Sequence, residues 1–130
     1  MSYNDLTRRY FENAGDYAGV LTGPDCVRGA SGSRAQGSWV QFDLQIDSSV
    51  RCATIRAARF LAFACPHIIA VSSWLAEQAP GREIQAQLPE SVQSLRERFD
   101  VPIPKLGHLL IVEDAWIAGL RAAQEVRVRG

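Results

Sequence analysis

The chain has 130 residues, 47% hydrophobic and 22% charged, with 14 basic and 14 acidic side chains and a formal net charge of +0. That length suits one domain with a real core and is short for two. The even charge balance excludes the basic footprint of a general nucleic-acid binder or of a protein drawn to anionic membranes.

The opening MSYNDLTRRYFEN lacks the apolar core of a secretion signal, and no run is long enough to span a membrane. A cytoplasmic protein is expected. Residues 3–14 predict a first helix with Leu6, Tyr10 and Tyr3 on one side. Residues 14–37 hold six of the ten glycines with Pro24, Asp25, Ser31 and Ser33. That is loop chemistry, with room for one poor edge strand.

WVQFDLQID (39–47) carries the clearest period. Val40, Phe42, Leu44 and Ile46 alternate with Gln41, Asp43, Gln45 and Asp47. Period two predicts a strand with one buried and one wet face, of the kind found in antiparallel sheets. Asp47-Ser48-Ser49 is a turn, and residues 51–63 form a second strand. Its alternation is less clean, because Arg56 and Arg59 fall on opposite faces.

From Pro66 the spacing becomes helical, with Ile68, Val71 and Leu75 at three and four. Proline suits the first helical position, so Cys65 lies close to the N-cap. Pro80-Gly81 ends this helix. A third helix fits 89–99, with Val92, Leu95 and Phe99 on one face. VPIPK (101–105) is an extended link. The last helix covers 108–126, with Leu109, Val112, Trp116 and Leu120 inward and Glu113 and Asp114 on its solvated face. VRVRG (126–130) is a basic solvated end. A helix, then antiparallel strands, then helices predicts a two-layer α+β domain over residues 1–130, with about three strands packed on helices.

Cys26, Cys52 and Cys65 are an odd set at uneven spacing with no CxxC pair, which excludes a disulfide framework and a finger-type zinc site. A thiol at a helix N-terminus has its thiolate stabilised, so position makes Cys65 the best reactive or metal-binding candidate. The plainer reading is a buried small hydrophobe, and the residues alone favour it. His67 points away from Cys65 on a helix, toward a surface or supporting role. His108 reads from spacing as a polar residue opening the last helix. No Ser/His/Asp set, no phosphate loop and no paired-carboxylate pocket is legible, so an enzyme is not expected.

Several segments together resemble one family. FEN (11–13) with Gly19 and Leu21 is similar to the opening YENPRNVGSL of the iron–sulfur cluster assembly scaffolds of the IscU type and the N-terminal domain of NifU. GSWVQFDLQI (37–46) is similar to the strand after that family's first cysteine. ARFLAFACPHIIAVSS (58–73) resembles AKFKTFGCGSAIASSS, and PKLGHLLIVEDAWIAGL (104–120) resembles the segment around VKIHCSMLAEDAI. The resemblance runs from about Tyr10 to Leu120 and puts Cys65 on the family's second cluster cysteine.

The departures fall at the chemistry. Gln36 stands at the first cysteine, Ser38 at the aspartate, His108 at the third cysteine and Gly107 at the histidine before it. Ala64, Pro66 and His67 replace the residues around the second cysteine. VPIPK stands for the chaperone-recognition element LPPVK and keeps Pro102 and Lys105.

The resemblance implies a small antiparallel sheet with helices, and a scaffold that binds iron or a nascent Fe–S cluster. It implies sulfur from a cysteine desulfurase, with an Hsp70-type chaperone meeting Pro102 and Lys105. Cys65 and His108 are then the main ligands, with Gln36, Ser38 and the upstream-loop Cys26 as weaker donors. Clusters are held mostly by cysteine thiolates, so this set suits a loosely held iron or zinc ion better than a [2Fe–2S] cluster. Cys52, in the second strand, is structural. The alternatives are a non-cluster paralogue acting as a protein-binding module, and a zinc-binding relative using Cys65, His108 and Cys26.

Overall fold

The structure is a computed structural model that describes residues 3–48, 52–85 and 87–129, with side chains described as far as residue 125. Helix α1 (Asp5–Glu12) starts where the Asn4 side chain accepts the Thr7 N–H at 2.9 Å, a cap that serves an otherwise unpaired donor. Thr7 and Tyr10 are its buried residues. The Thr7 hydroxyl donates to the Phe99 carbonyl at 2.6 Å, which ties α1 to a distant part of the chain.

The glycine-rich stretch yields a full strand, β1 (Cys26–Ser33). It pairs with β2 (Ser38–Asp47), which pairs with β3 (Thr54–Phe63) in an antiparallel sheet of order β1-β2-β3. The register runs from Cys26 opposite Gln45 to Ser33 opposite Ser38, and from Asp47 opposite Thr54 to Trp39 opposite Phe63. Glycine in β1 has a packing reason. A Cβ on Gly29 would sit 2.1 Å from the Gly119 nitrogen, so only glycine lets the last helix lie down on this strand.

Helix α2 (Pro66–Gln78) packs on β3, and α4 (Leu106–Arg129) packs on β1 and β2. Between them lies the short α3 (Val92–Arg98), capped by the Ser91 side chain. Val40, Phe42, Leu44 and Ile46 are buried, as the alternation predicts, and so are Leu109, Val112, Trp116 and Leu120. Phe42 and Trp116 meet edge to face at 5.1 Å between ring centroids.

Four sequence expectations change. The supposedly wet face of β2 is closed, with Asp43 1% and Gln41 8% exposed. The segment before β1 crosses it: Phe60 donates to Tyr17, Gly19 donates to Phe60, and Leu21 donates to Asp43. VPIPK is not an extended link. Ile103–Lys105 form a 3-10 turn that runs straight into α4, which begins two residues earlier than its spacing suggests. Cys52 is exposed ahead of β3 rather than set within a strand. Leu6 is only partly buried, and Thr7 shares the inner face of α1 with Tyr10. Ser49 of the expected turn, Arg51 of the expected strand and the side chains of VRVRG lie outside the described residues.

Candidate functional site

Cys65 is the N-cap of α2, in extended backbone at φ −73° and ψ 164°, with Pro66 in the first helical turn. The helix begins there because proline fixes φ and lacks the N–H that a first turn leaves unpaired. The thiol is half-buried, forms no disulfide, and makes no hydrogen bond among the described residues.

Trp39 faces Phe63, so one further step along the ladder puts Ser38 opposite Ala64, next to Cys65. Ser38 has the parity of Val40 and Phe42 and so faces the helices. Its hydroxyl is fully buried without a partner. Gln36 and Gly37 form the hairpin turn before it, where Gly37 adopts φ +79°. A Cβ on Gly37 would lie 4.0 Å from Cε1 of His108, so the half-buried His108 imidazole, in the first turn of α4, sits beside this turn. Gln36 is exposed and its Oε1 accepts the Ser33 hydroxyl at 3.2 Å, which occupies the oxygen within the turn itself.

His67 departs from expectation. It is 3% exposed, its Nδ1 has no partner, and its ring meets Tyr3 edge to face at 4.7 Å. Burial depresses its affinity for a proton, the nearby Lys105 charge adds to that, and Asp100 opposes both. The legible signal is that His67 lies one helical turn before buried Val71. Lys105 itself makes no ion pair among the described residues. Pro102 caps its 3-10 turn, and Ile103 in that turn is 71% exposed.

Cys26 is not on a flexible loop. It is the first residue of β1, opposite Gln45, seven residues from Ser33 at the site end of the strand. At about 3.3 Å per residue that is about 23 Å away. Its thiol contacts Asp25 at 3.8 Å. Burial pushes its pKa up, and the charges of Asp25 and Asp43 push it further. The structure therefore gathers Cys65, Ser38, Gln36, His108 and Lys105 at one end of the sheet and leaves Cys26 at the other.

Among the described residues no three His, Cys, Asp or Glu side chains gather as a metal cage. The donors are one thiol, one imidazole and one hydroxyl. That set suits a loosely held Fe(II) or Zn(II), and it falls short of the thiolates a [2Fe–2S] cluster needs. No helix of the described residues is long and apolar enough to cross a membrane.

Residues 2–125 match the family described as the NifU-like N terminal domain. The bifunctional protein NifU/MnmA of Rubrobacter xylanophilus is 34% identical over 87 residues, which is 67% of this chain and 17% of that protein, so the chain spans under a fifth of this relative's length. A putative iron-sulfur cluster assembly scaffold protein for the SUF system from Fervidobacterium islandicum superposes with a TM-score of 0.69 at 15% identity, covering 91% of this chain and 96% of that one. The N-terminal part of a NifU-like protein from Brucella abortus superposes with a TM-score of 0.64 at 21% identity, covering 91% and 93%. At these identities the two structures establish a shared α+β fold.

Proposed function

The chain belongs to the NifU-like N-terminal domain family, and on that premise we propose that it is a cytoplasmic, single-domain, scaffold-like protein of iron–sulfur cluster assembly. The observation that carries this is the place of Cys65: an unpaired, accessible thiol at the N-cap of a 13-residue helix.

In this reading Cys65 receives sulfur from a cysteine desulfurase. The Cys65 thiolate attacks the outer sulfur of the donor's persulfide. The donor's S–S bond breaks, its cysteine leaves as a thiolate, and Cys65 carries the persulfide. His108 is the second donor for an iron ion, with Ser38 a weaker oxygen donor and Gln36 a turn-forming neighbour. Pro102 and Lys105, with exposed Ile103 between them, offer a surface to an Hsp70-type chaperone. The residues act by holding and handing on, and none is assigned a catalytic role.

Anaerobic metal analysis and persulfide transfer with a cysteine desulfurase test this reading. Iron near one per chain, lost in Cys65→Ala and in His108→Ala, together with a persulfide on Cys65, is the expected result. No iron and no sulfur on Cys65 would reject it.

The donor count favours a protein-binding module without a cluster as the second reading, because no three-residue cage gathers among the described residues; a zinc-binding relative is the third, and it would have to do without Cys26. Unchanged activity of Cys65→Ser in cells selects the module, and zinc lost in both alanine variants selects the zinc protein.

A further inference from the structure

The sheet is charged unevenly. Residues 26–42 and 48–76 contain no Asp or Glu, although the whole chain balances to +0. The two carboxylates between those stretches, Asp43 and Asp47, each sit in an ion pair, with Arg28 and with Arg56. Arg34 and Arg59 make no ion pair among the described residues. Cations left unanswered on one element attract an anionic partner.

The same part of the sheet exposes apolar area. The helices cover the face of Val40 and Phe42, where Phe42 meets Trp116. The opposite face carries the cross-strand pairs Trp39–Phe63 and Gln41–Leu61, then Asp43–Arg59. Phe63 is 49% exposed, and Trp39 and Leu61 are half-buried. Val20 is 52% exposed. Its neighbours Gly19 and Leu21 donate to the Phe60 carbonyl and the Asp43 carboxylate, which sets Val20 across β3 near Leu61. Arg34, from the turn between β1 and β2, holds its guanidinium 5.5 Å from the Phe63 ring centroid. Arg59 stands next below Leu61 on the same face, so the apolar rows lie between the two arginines. Single apolar residues are ordinary on a surface, but a contiguous aromatic group rimmed by arginine has the composition of an interface centre.

We propose that this face docks an acidic protein segment. An apolar side chain of the partner packs between Trp39, Leu61 and Phe63, and carboxylates flanking it meet Arg34 and Arg59. Charge and geometry select this occupant over two others. A second copy would oppose cation to cation across the contact. A single-stranded nucleic acid stacks its bases on open ring faces, and Arg34 already covers one face of Phe63. The surface uses none of the donors of the proposed assembly site, so the inference does not rest on that reading, and docking makes and breaks no covalent bond.

The test is amide and indole NMR of the full chain titrated with a short synthetic peptide in which glutamate and leucine alternate. Its lysine counterpart and oligothymidine are titrated in parallel. The expected result is saturable shifts at the Trp39 indole and at the Leu61 and Phe63 amides with the glutamate peptide, weakening as salt rises. Phe63→Ser and Arg34→Glu, both at exposed side chains, each weaken binding about tenfold, as an interface anchor does. Leu110→Ser, at an exposed apolar residue of α4, leaves binding unchanged. Urea unfolding of the variants separates lost binding from lost folding. No saturable shift at the three residues overturns the proposal, as does equal binding of the glutamate and lysine peptides, or a folded Arg34→Glu protein that binds as well as the parent. Tighter binding of oligothymidine at the same signals assigns the face to nucleic acid, and a dimer that Phe63→Ser dissolves assigns it to a second copy; either result also overturns it.

Discussion

Asp43 and Ser38 are both buried on β2, and the chain treats them in opposite ways. The Asp43 carboxylate receives Arg28 Nε at 2.7 Å and Nη2 at 3.0 Å, the Leu21 N–H at 2.9 Å and the Gln41 amide at 3.4 Å. Those donors come from β1, from the crossing segment and from β2 itself, so one carboxylate clamps three pieces of chain. Burial pushes its pKa up, and these bonds outweigh that and hold it below the ordinary value. Ser38, at the end of the same strand, has no partner among the described residues. A buried polar group that is fully served is architecture. One that is left unserved holds nothing together, and its removal costs little.

The comparison breaks most visibly on its rigid side. Gly29→Ala puts a methyl group 2.1 Å from the Gly119 nitrogen and 2.4 Å from the Ala115 carbonyl oxygen. Both are backbone atoms that cannot step aside, so α4 must lift from β1. A loss of about 3 kcal/mol, at the top of the usual overpacking range, is expected in urea unfolding. Asp43→Ala comes next, at about 2 kcal/mol, because the half-buried Leu21 N–H loses its acceptor and the clamp opens. Hydrogen exchange of the Leu21 amide reports this directly, and Arg28→Ala moves stability in the same direction. Ser38→Ala sharpens the contrast: removing an unpartnered buried hydroxyl is neutral or stabilising, by up to about 1 kcal/mol. Equal losses for Ser38→Ala and Asp43→Ala would erase the distinction between the two ends.

The alternation of β2, the start of α2 at Pro66 and the inner face of α4 are legible in the sequence because each rests on a local rule of period or capping. The α+β class and the family follow from them and from the segment around Cys65. What the sequence hides is non-local. The glycines of β1 look like loop residues, and the reason for Gly29 is a helix 90 positions on in the chain, at Gly119. Asp43 looks solvated, because the segment that closes over it carries no periodic signal of its own. Cys26 reads as a loop residue within reach of the site, since strand register cannot be read from a glycine-rich stretch. The partial donor set is visible residue by residue, yet the unpartnered state of Ser38 and the burial of His67 belong to packing.

His67 supplies the subtlest test of the open end. Its folded-state pKa lies below the ordinary 6.5, from burial first and the Lys105 charge second. Between 6.5 and that lower value the unfolded chain carries a proton that the folded chain does not, so stability falls as pH drops through this window. The contribution is complete above 6.5 and is lost progressively below it. Urea midpoints measured from pH 7.5 downward are expected to show a decline that starts near 6.5, and His67→Gln is expected to flatten it. Lys105→Gln removes the second cause and should raise the His67 titration midpoint read from its imidazole NMR signals. A midpoint that stays put in Lys105→Gln would mean that Lys105 points its charge away from α2, and the electrostatic contrast between the two ends of β2 would then rest on burial alone.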